Sequence, residues 1–333
     1  GDISIPNQAT HNGKTYQVTT IDDRAFEGKE QLTSVHISNS IDSIGDYAFC
    51  GCPLLTQVSL GEGVTYMGND IFRGSGLTSI TITRNVSQIG IAPFSACTQL
   101  TEINVDEANP YFSSLDGVLT DKNRTTIVAY PAGKGKRYII PDGITKIGTH
   151  SFFACPITYI HTPNSVKTIE LFAFASCTDL DTIILGNSVD SIEGAAFRIN
   201  DRLKTIYSMN PIPPAAHPEA FSSFSPMFFI QCTLHVPVGS LQAYKNAEVW
   251  KNFKNIVEND FTGIERPLPD KAKIFGNKNS IAFRNIEPGT DISIYDTTGK
   301  CIKTFAVDGD SEIPLPSGIY LIKYAGKTVK IIL

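Results

Sequence analysis

Hydrophobic positions recur along the first two thirds of the chain with a period of 22 or 23 residues. One copy, residues 41–60, reads IDSIGDYAFCGCPLLTQVSL, and its apolar anchors return in the same order in every other copy. A period in this range is typical of a solenoid, because one copy buries its apolar face only against its neighbours. The copies begin at Val18, Ile41, Val64, Val86, Ile144, Val166 and Val189.

Three columns of apolar anchors are fixed within the copies. The closing L-x-x-V-x-I predicts a short strand with its apolar side inward, and the opening V-x-x-I-G predicts a second extended piece. The A-F-x-x-C segment between them predicts a tight helical or 3₁₀ turn. The columns are Phe26, Phe49, Phe72, Phe94, Phe152, Phe174 and Phe197; Leu32, Leu55, Leu77, Leu100, Ile157, Leu180 and Leu203; and Val35, Val58, Ile80, Ile103, Ile160, Ile183 and Ile206.

The repeats, residues 18–210, are predicted to have a cap before them and one interruption within them. Residues 1–17 predict an N-terminal cap of short strands around the turn at Asn12-Gly13, which shields the first copy from water. Residues 106–140 break the period. Within this insert the strand-like GVLT and TIVAYP flank DKNRT, which predicts a hairpin that stacks as a rung of its own.

Residues 211–258 predict a C-terminal cap of the solenoid. The prolines after residue 210 end the regular copies, and a strand followed by a short helix comes next, with Ser240 as its predicted N-cap. Trp250 and Phe253 are placed to close the last rung.

The rest of the chain predicts a linker and a second domain. Residues 259–272 are polar and rich in proline, as linkers are. Residues 273–333 alternate in short strands separated by turns, which indicates a small β-sandwich. The predicted fold class is therefore α/β leaning to β, a solenoid with short strands and helical turns followed by this sandwich.

Composition narrows the function classes. The chain has 333 residues, of which 41% are hydrophobic and 18% charged, so it carries enough apolar material for a large core. A net charge of -5 argues against a nucleic-acid partner, which requires a basic face. No apolar run reaches the roughly 18 residues of a membrane-spanning helix. The first residues show no signal-peptide pattern, so either the protein has no such peptide or it has been removed.

The seven cysteines are predicted to be structural. Four of them follow the repeat phenylalanine by three residues, which places them in one buried slot as small apolar side chains. Side chains in one column point the same way and rarely form a disulfide. The four are Cys52, Cys97, Cys155 and Cys177.

The sequence offers no catalytic, cofactor-binding or metal-binding residues. None of the six histidines lies in an H-E-x-x-H motif, and the sequence contains neither a G-x-S-x-G motif nor a P-loop. Residues 308–312 (DGDSE) favour a surface turn, with a calcium loop as the alternative, because the full ligand spacing is missing. The protein is predicted not to be an enzyme.

The outward positions of the closing strands predict a binding surface. Neighbouring rungs lie about 4.8 Å apart, so these side chains form a broad and mostly neutral ribbon. Exposed aromatic residues favour interfaces, whereas the alternative is an ordinary solvated sheet face. The candidate partner-binding residues are His36, Gln57, Glu102, Asn104, Tyr159, His161 and Tyr207.

The unit V-x-x-I-G-x-x-A-F-x-x-C-x-x-L-x-x-I-x-I resembles the BspA-like leucine-rich repeats. The resemblance covers about residues 1 to 258, including the NPYFSSLDGVLTDKNRTTIVAYPAGK insert and the VPVGSLQAYKNAEVWKNF closing segment. It implies a leucine-rich-repeat solenoid and a surface or secreted protein, mostly from Bacteroidetes and some eukaryotic parasites. It also implies adhesion or ligand binding by the solenoid surface, with no catalytic residues.

Residues 273–333 resemble the C-terminal sorting domain of the type IX (Por) secretion system. ISIYDTTGKCIKTF and LPSGIYLIKYAGKTVKIIL carry this likeness. It implies delivery to the cell surface. The sequence thus predicts a non-enzymatic, extracytoplasmic protein that binds an extracellular protein or glycan; the alternative is a structural spacer of the cell envelope without a specific ligand.

Overall fold

The computed structural model describes residues 1–223, 225, 227–261, 273–277, 280–284, 286, 290–307, 311–324 and 327–333. Its contacts divide the chain into two units, Gly1–Asp260 and Phe261–Leu333. Residues 262–272 of the predicted linker and residues 308–310 of the predicted surface turn lie outside the described residues.

Short strands dominate the first unit. Its helices are α1 (Phe228–Gln231), α2 (Leu241–Asn246) and one 3₁₀ turn (Trp250–Asn252). Its strands are β1 (Asp2–Ile5), β2 (Gln8–His11), β3 (Lys14–Gln17), β4 (Thr20–Ile21), β5 (Ser34–Ile37), β6 (Ser43–Ile44), β7 (Gln57–Ser59), β8 (Tyr66–Met67), β9 (Ser79–Ile82), β10 (Gln88–Ile89), β11 (Glu102–Val105), β12 (Phe112–Leu115), β13 (Val118–Asp121), β14 (Thr126–Ala129), β15 (Arg137–Ile139), β16 (Lys146–Ile147), β17 (Tyr159–His161), β18 (Thr168–Ile169), β19 (Thr182–Leu185), β20 (Ser191–Ile192), β21 (Thr205–Ser208), β22 (Ala215–Ala216), β23 (Thr233–Pro237) and β24 (Asn255–Asn259).

Each copy of the repeat adds one strand to each of two parallel ladders. The closing strands form the first ladder, in the order β1-β5-β7, then β9-β11, then β15-β17-β19-β21-β23-β24. The opening pieces form the second, in the order β4-β6-β8-β10, then β14-β16-β18-β20-β22. The pairing steps by one repeat, for example Ser34 opposite Gln57. Residues at the same repeat position therefore stand in columns.

The A-F segments form a third side of the solenoid. The amides of Arg24, Phe26 and Gly28 donate to carbonyls of the next rung at 2.8 Å, whereas those of Ala25 and Glu27 close turns within their own rung. The residues two before and two after the phenylalanine have positive φ in nearly every copy. A left-handed residue interrupts a helix, so the expectation of helical turns is wrong here and these segments are hydrogen-bonded turns.

The repeat phenylalanines stack into a buried column of rings. From Phe26 to Phe94 neighbouring ring centroids are 5.2–5.9 Å apart. The column resumes at Tyr130, contributed by the insert, and runs to Phe221 with spacings of 4.8–5.3 Å. Trp250 meets Phe221 edge-on at 5.5 Å and closes the column, in the role the sequence predicts for it. Contacts between aromatic rings stabilise the fold in addition to the stabilisation that comes from burying the ring surface.

The insert divides the core. Strands β13 and β14 pair antiparallel, and β14 then pairs in parallel with β16. The buried apolar side chains fall into two clusters that meet at this hairpin. Asn109 anchors the start of the insert, because its buried amide bonds the carbonyls of Thr83 and Val86 in the preceding copy.

The start of α2 is capped by a different residue from the one predicted. Ser240 precedes α2, but its side chain forms no capping hydrogen bond. The carboxylate Oε1 of Glu258 accepts from the amides of Gly239 and Leu241 at 2.9 and 3.0 Å instead. A carboxylate from the neighbouring strand therefore satisfies amides at the start of this helix.

The second unit is built from antiparallel strands. These are β25 (Lys273–Asn277), β26 (Ser280–Arg284), β27 (Asp291–Tyr295), β28 (Cys301–Ala306), β29 (Ser311–Pro314), β30 (Ile319–Tyr324) and β31 (Lys327–Ile332). They form two sheets, one with the order β25-β26-β29 and the other with the order β28-β27-β30-β31. The core of this unit includes the buried side chains of Ile281, Ile292 and Ile322.

Candidate functional site

The outward side chains of the first ladder form two columns in the N-terminal half of the solenoid. His36, Gln57 and Glu102 are exposed there and Asn104 is half-buried. All neighbouring outward positions carry hydroxyl groups, so the surface is polar along its length. We call it the polar ribbon; it consists of Ser34, His36, Gln57, Ser59, Ser79, Thr81, Glu102 and Asn104.

The insert ends the polar ribbon. The turn at Asp116-Gly117 meets β11 where the amide of Ile103 donates to the carbonyl of Gly117 at 2.8 Å. Lys134 pairs with Asp116 at 3.0 Å beside it. The ladder therefore presents two separate outward surfaces and not the single continuous ribbon expected from the spacing of the copies.

Tyr159 and His161 lie on the second of these surfaces and are buried. Their exposed fractions are 5% and 8%, so the expectation of exposed contact residues is wrong for both. The Arg137 guanidinium lies 3.9 Å from the centroid of the Tyr159 ring. Ile139 and Ile184 flank His161 in register. Strand alternation assigns a side chain to one face of the ladder, but it does not decide whether that face meets solvent.

Tyr207 lies in the same outward column and is half-buried. Its ring stacks on that of His235, with centroids 4.6 Å apart and planes 15° from parallel. The repeat pattern does not identify His235 as an outward residue, because β23 follows the proline-rich segment in which the pattern is lost. The structure thus groups four predicted residues on the polar ribbon and places Tyr159, His161 and Tyr207 beyond the insert.

The cysteines of the repeat slot are buried, as predicted, and also have a polar role. The thiols of Cys52, Cys97 and Cys177 donate to the carbonyl of the phenylalanine one rung earlier, at 3.1, 2.9 and 3.0 Å. Asn200 occupies the same slot and donates to Phe174 at 2.9 Å. Burial raises the pKa of Cys97 to about 11 and that of Cys177 to about 12, which keeps these thiols protonated at neutral pH.

Three comparisons place the chain among known proteins. A model of the BspA type leucine rich repeat region, in 6 copies, matches residues 19–115 and 132–235, more than half of the chain. The chain belongs to the BspA-type leucine-rich-repeat family. A search of curated proteins found no significant match to this BspA-type protein. No group of histidine, cysteine or acidic residues in the described ranges is arranged to hold a metal ion.

Several solved structures align with most of this chain at low sequence identity. The pneumococcal vaccine antigen PcpA is 18% identical over 78% of this chain and 89% of its own, with a TM-score of 0.49. A leucine rich cell surface protein from Faecalibacterium prausnitzii is 20% identical over 78% and 87%, with a TM-score of 0.41. A leucine-rich repeat protein from Eubacterium ventriosum is 18% identical over 83% and 86%, with a TM-score of 0.47. Among the described residues, no helix is long and apolar enough to cross a membrane.

Proposed function

We propose that this BspA-type protein is a non-enzymatic cell-surface or secreted protein that binds an extracellular protein or glycan through the polar ribbon. The observation that carries the proposal is the array of exposed and half-buried polar side chains on two sets of hydrogen-bonded parallel strands, β5-β7 and β9-β11. Because the ladder fixes their spacing, these groups lose little backbone freedom when a partner binds. We expect the protein to be extracytoplasmic because its repeats resemble those of surface and secreted proteins.

The ribbon offers chemistry for such a partner. Gln57 and Asn104 present amides that donate and accept, Glu102 presents an acceptor, and the serine and threonine hydroxyls between them do both. A glycan hydroxyl or a peptide edge needs such a mixture. His36 adds an aromatic ring at the N-terminal end of the surface.

A binding screen followed by variants tests this function. The purified protein is presented to arrays of glycans and of extracellular matrix proteins, and each hit is measured by surface plasmon resonance. The triple variant His36→Ala, Gln57→Ala, Glu102→Ala is expected to weaken binding at least tenfold, or about 1.4 kcal/mol. Gln88→Ala is the matched control, because Gln88 is an exposed residue of the second ladder.

The second candidate function is a structural spacer of the cell envelope. The long column of stacked rings favours it, since such a core gives a rigid body whether or not a ligand binds. A screen that yields no partner, together with an altered envelope when the protein is removed, would support the spacer. A partner whose binding is unchanged in the triple variant would assign binding to another surface, with Tyr207 the next candidate.

We further propose that residues 273–333 form a small β-sandwich that acts as a sorting domain. Two antiparallel sheets around a shared core support the assignment, as does the resemblance of ISIYDTTGKCIKTF. The test is cell fractionation of the source organism after removal of residues 273–333 from the gene. Surface display is expected to be lost, while display unchanged from that of the full chain would refute the sorting role.

A further inference from the structure

One rung of the solenoid has no bulky side chain at two positions of its turn. The second and third residues after the opening strand are Leu171 and Phe172 in one copy, but Gly194 and Ala195 in the next. The backbone remains in register, because the amide of Phe172 donates to the carbonyl of Gly194. A notch one rung wide therefore opens beside Phe172.

The notch is part of an open groove of about 540 Å³. Leu171, which is 40% exposed, and Phe172 form its apolar wall. The following rung supplies His217 and Glu219 on the other side, and the Oε2 atom of Glu193 accepts from the amide of Leu171 at 3.1 Å. The groove is narrow at its floor, where Gly194 lies between Leu171 and His217. A Cβ built on Gly194 would lie 3.3 Å from Leu171 Cδ1 and 3.4 Å from His217 Nδ1.

Aromatic rings occupy this turn position in the two preceding rungs. The rings of His150 and Phe172 have centroids 4.8 Å apart. Both residues, like Ala195, adopt the same left-handed backbone, with φ of 54–57°. The two ring planes are tilted by 32°, so they are in contact but not parallel. A planar group in the notch would pack against the Phe172 ring, since one missing side chain leaves about the space that a flat ring or a guanidinium needs.

The charge of the groove selects a cation among planar groups. Glu193 and Glu219 are both exposed and line it. Within the described part of the chain, neither carboxylate forms an ion pair. A guanidinium fits better than an ammonium, because it stacks on an aromatic face while donating to carboxylates at its edge.

The N-terminal half already contains this arrangement within the chain. Arg24 and Tyr47 hold the same turn position in adjacent rungs, and the Arg24 guanidinium lies 4.5 Å from the centroid of the Tyr47 ring. The two carboxylate oxygens of Glu27 accept from Arg24 Nη1 at 3.0 and 2.9 Å. A stacked guanidinium held by a carboxylate is thus compatible with the backbone of this turn.

We propose that the notch beside Phe172 is a binding site for an arginine side chain of a partner protein. The guanidinium stacks on Phe172 and donates to Glu219, with Glu193 adding to the negative potential. The site is separate from the polar ribbon, which lies on the other ladder, so it does not depend on the function proposed above.

The test uses the full chain and a fluorescent tripeptide, Gly-Arg-Gly amide, titrated by microscale thermophoresis. Saturable binding is expected, with a dissociation constant on the order of millimolar for a single side chain. The same peptide with citrulline, which is nearly isosteric but neutral, is expected to bind at least tenfold more weakly. Glu219→Gln is expected to weaken the arginine peptide about tenfold.

Two phenylalanine variants separate occupation of the notch from damage to the fold. Ala195→Phe places a ring in the notch and is expected to abolish binding. Ala92→Phe is the matched control, since Ala92 holds the same turn position with φ 51° in the N-terminal half and should leave binding unchanged. Equal binding of the citrulline peptide, binding unaffected by Ala195→Phe or Glu219→Gln, or no saturable binding to the folded wild-type chain would each overturn the proposal.

Discussion

Replacing Asn109 by alanine is expected to remove a large share of the stability of the solenoid. The Asn109 side chain is fully buried, with an exposed fraction of 0%. Its Nδ2 donates to the carbonyls of Thr83 and Val86, both at 2.9 Å. Its Oδ1 accepts from the amides of Tyr111 and Phe112, both at 2.8 Å. One side chain therefore satisfies four backbone groups and attaches the insert to the preceding rung.

The expected magnitude follows from those four groups. Asn109→Ala removes the partner of the Val86 carbonyl and of two amides, whereas the Thr83 carbonyl keeps the amide of Val86 at 3.3 Å. Each buried unsatisfied group costs about 1–3 kcal/mol. We expect water to enter part of the vacated space and the total loss in the free energy of unfolding to be about 3–5 kcal/mol. Asn109→Asp is expected to be at least as harmful at neutral pH, since it places a carboxylate against the two carbonyls.

Urea denaturation followed by circular dichroism measures the loss. Asn85→Ala is the matched control, because Asn85 lies one turn earlier and makes a single exposed hydrogen bond, from Nδ2 to the Glu62 carbonyl at 2.7 Å. It should lower the free energy of unfolding by less than about 1 kcal/mol. Equal effects of Asn109→Ala and Asn85→Ala would refute the reasoning.

Further outcomes concern the turns and the thiols. Ser176 and Gly51 both occupy the left-handed position two residues after the phenylalanine, so Ser176→Gly should raise the free energy of unfolding by about 0.5–1 kcal/mol and Gly51→Ala should lower it by about 1 kcal/mol, as measured in urea. Cys97 and Cys177 have folded-state pKa values of about 11 and 12. Their contribution to the free energy of unfolding is therefore complete below the ordinary thiol pKa of 9, and it is lost above that pH by up to about 1.4 kcal/mol per pH unit for each thiol. Urea denaturation between pH 8 and 11 should show this decline in the free energy of unfolding, and a flat profile would contradict it. Cys301 is exposed, so iodoacetamide should label it in the native protein, while mass spectrometry finds Cys97 and Cys177 labelled only on unfolding.

Much of the solenoid could be predicted because each rung repeats one apolar pattern. Phe49, Leu55 and Ile80 are core residues by spacing alone, and the structure buries them all. Tyr130 and Phe221 continue the ring column, but the insert and the proline-rich segment change the spacing at which they occur. Position in a column is set by backbone pairing, which the period reveals only where the rungs have equal length.

The turns and the outward surfaces could not be read in the same way. Arg24, Tyr47 and Phe172 adopt positive φ although these residue types do not favour it, because the inter-rung hydrogen bonds fix the backbone there. Tyr159 and His161 are buried although alternation places them on the outward face. Both outcomes depend on contacts between residues distant in sequence, and local patterns do not contain them.

Native-state hydrogen exchange tests the central claim that the copies stack as hydrogen-bonded rungs. The amides of Phe26, Phe174 and Phe197 each donate to a carbonyl of the following rung at 2.8 Å. The account predicts that these amides exchange at least about 10³-fold more slowly than in the unfolded chain. Exchange of the repeat phenylalanine amides at the rate of an unstructured loop would contradict it.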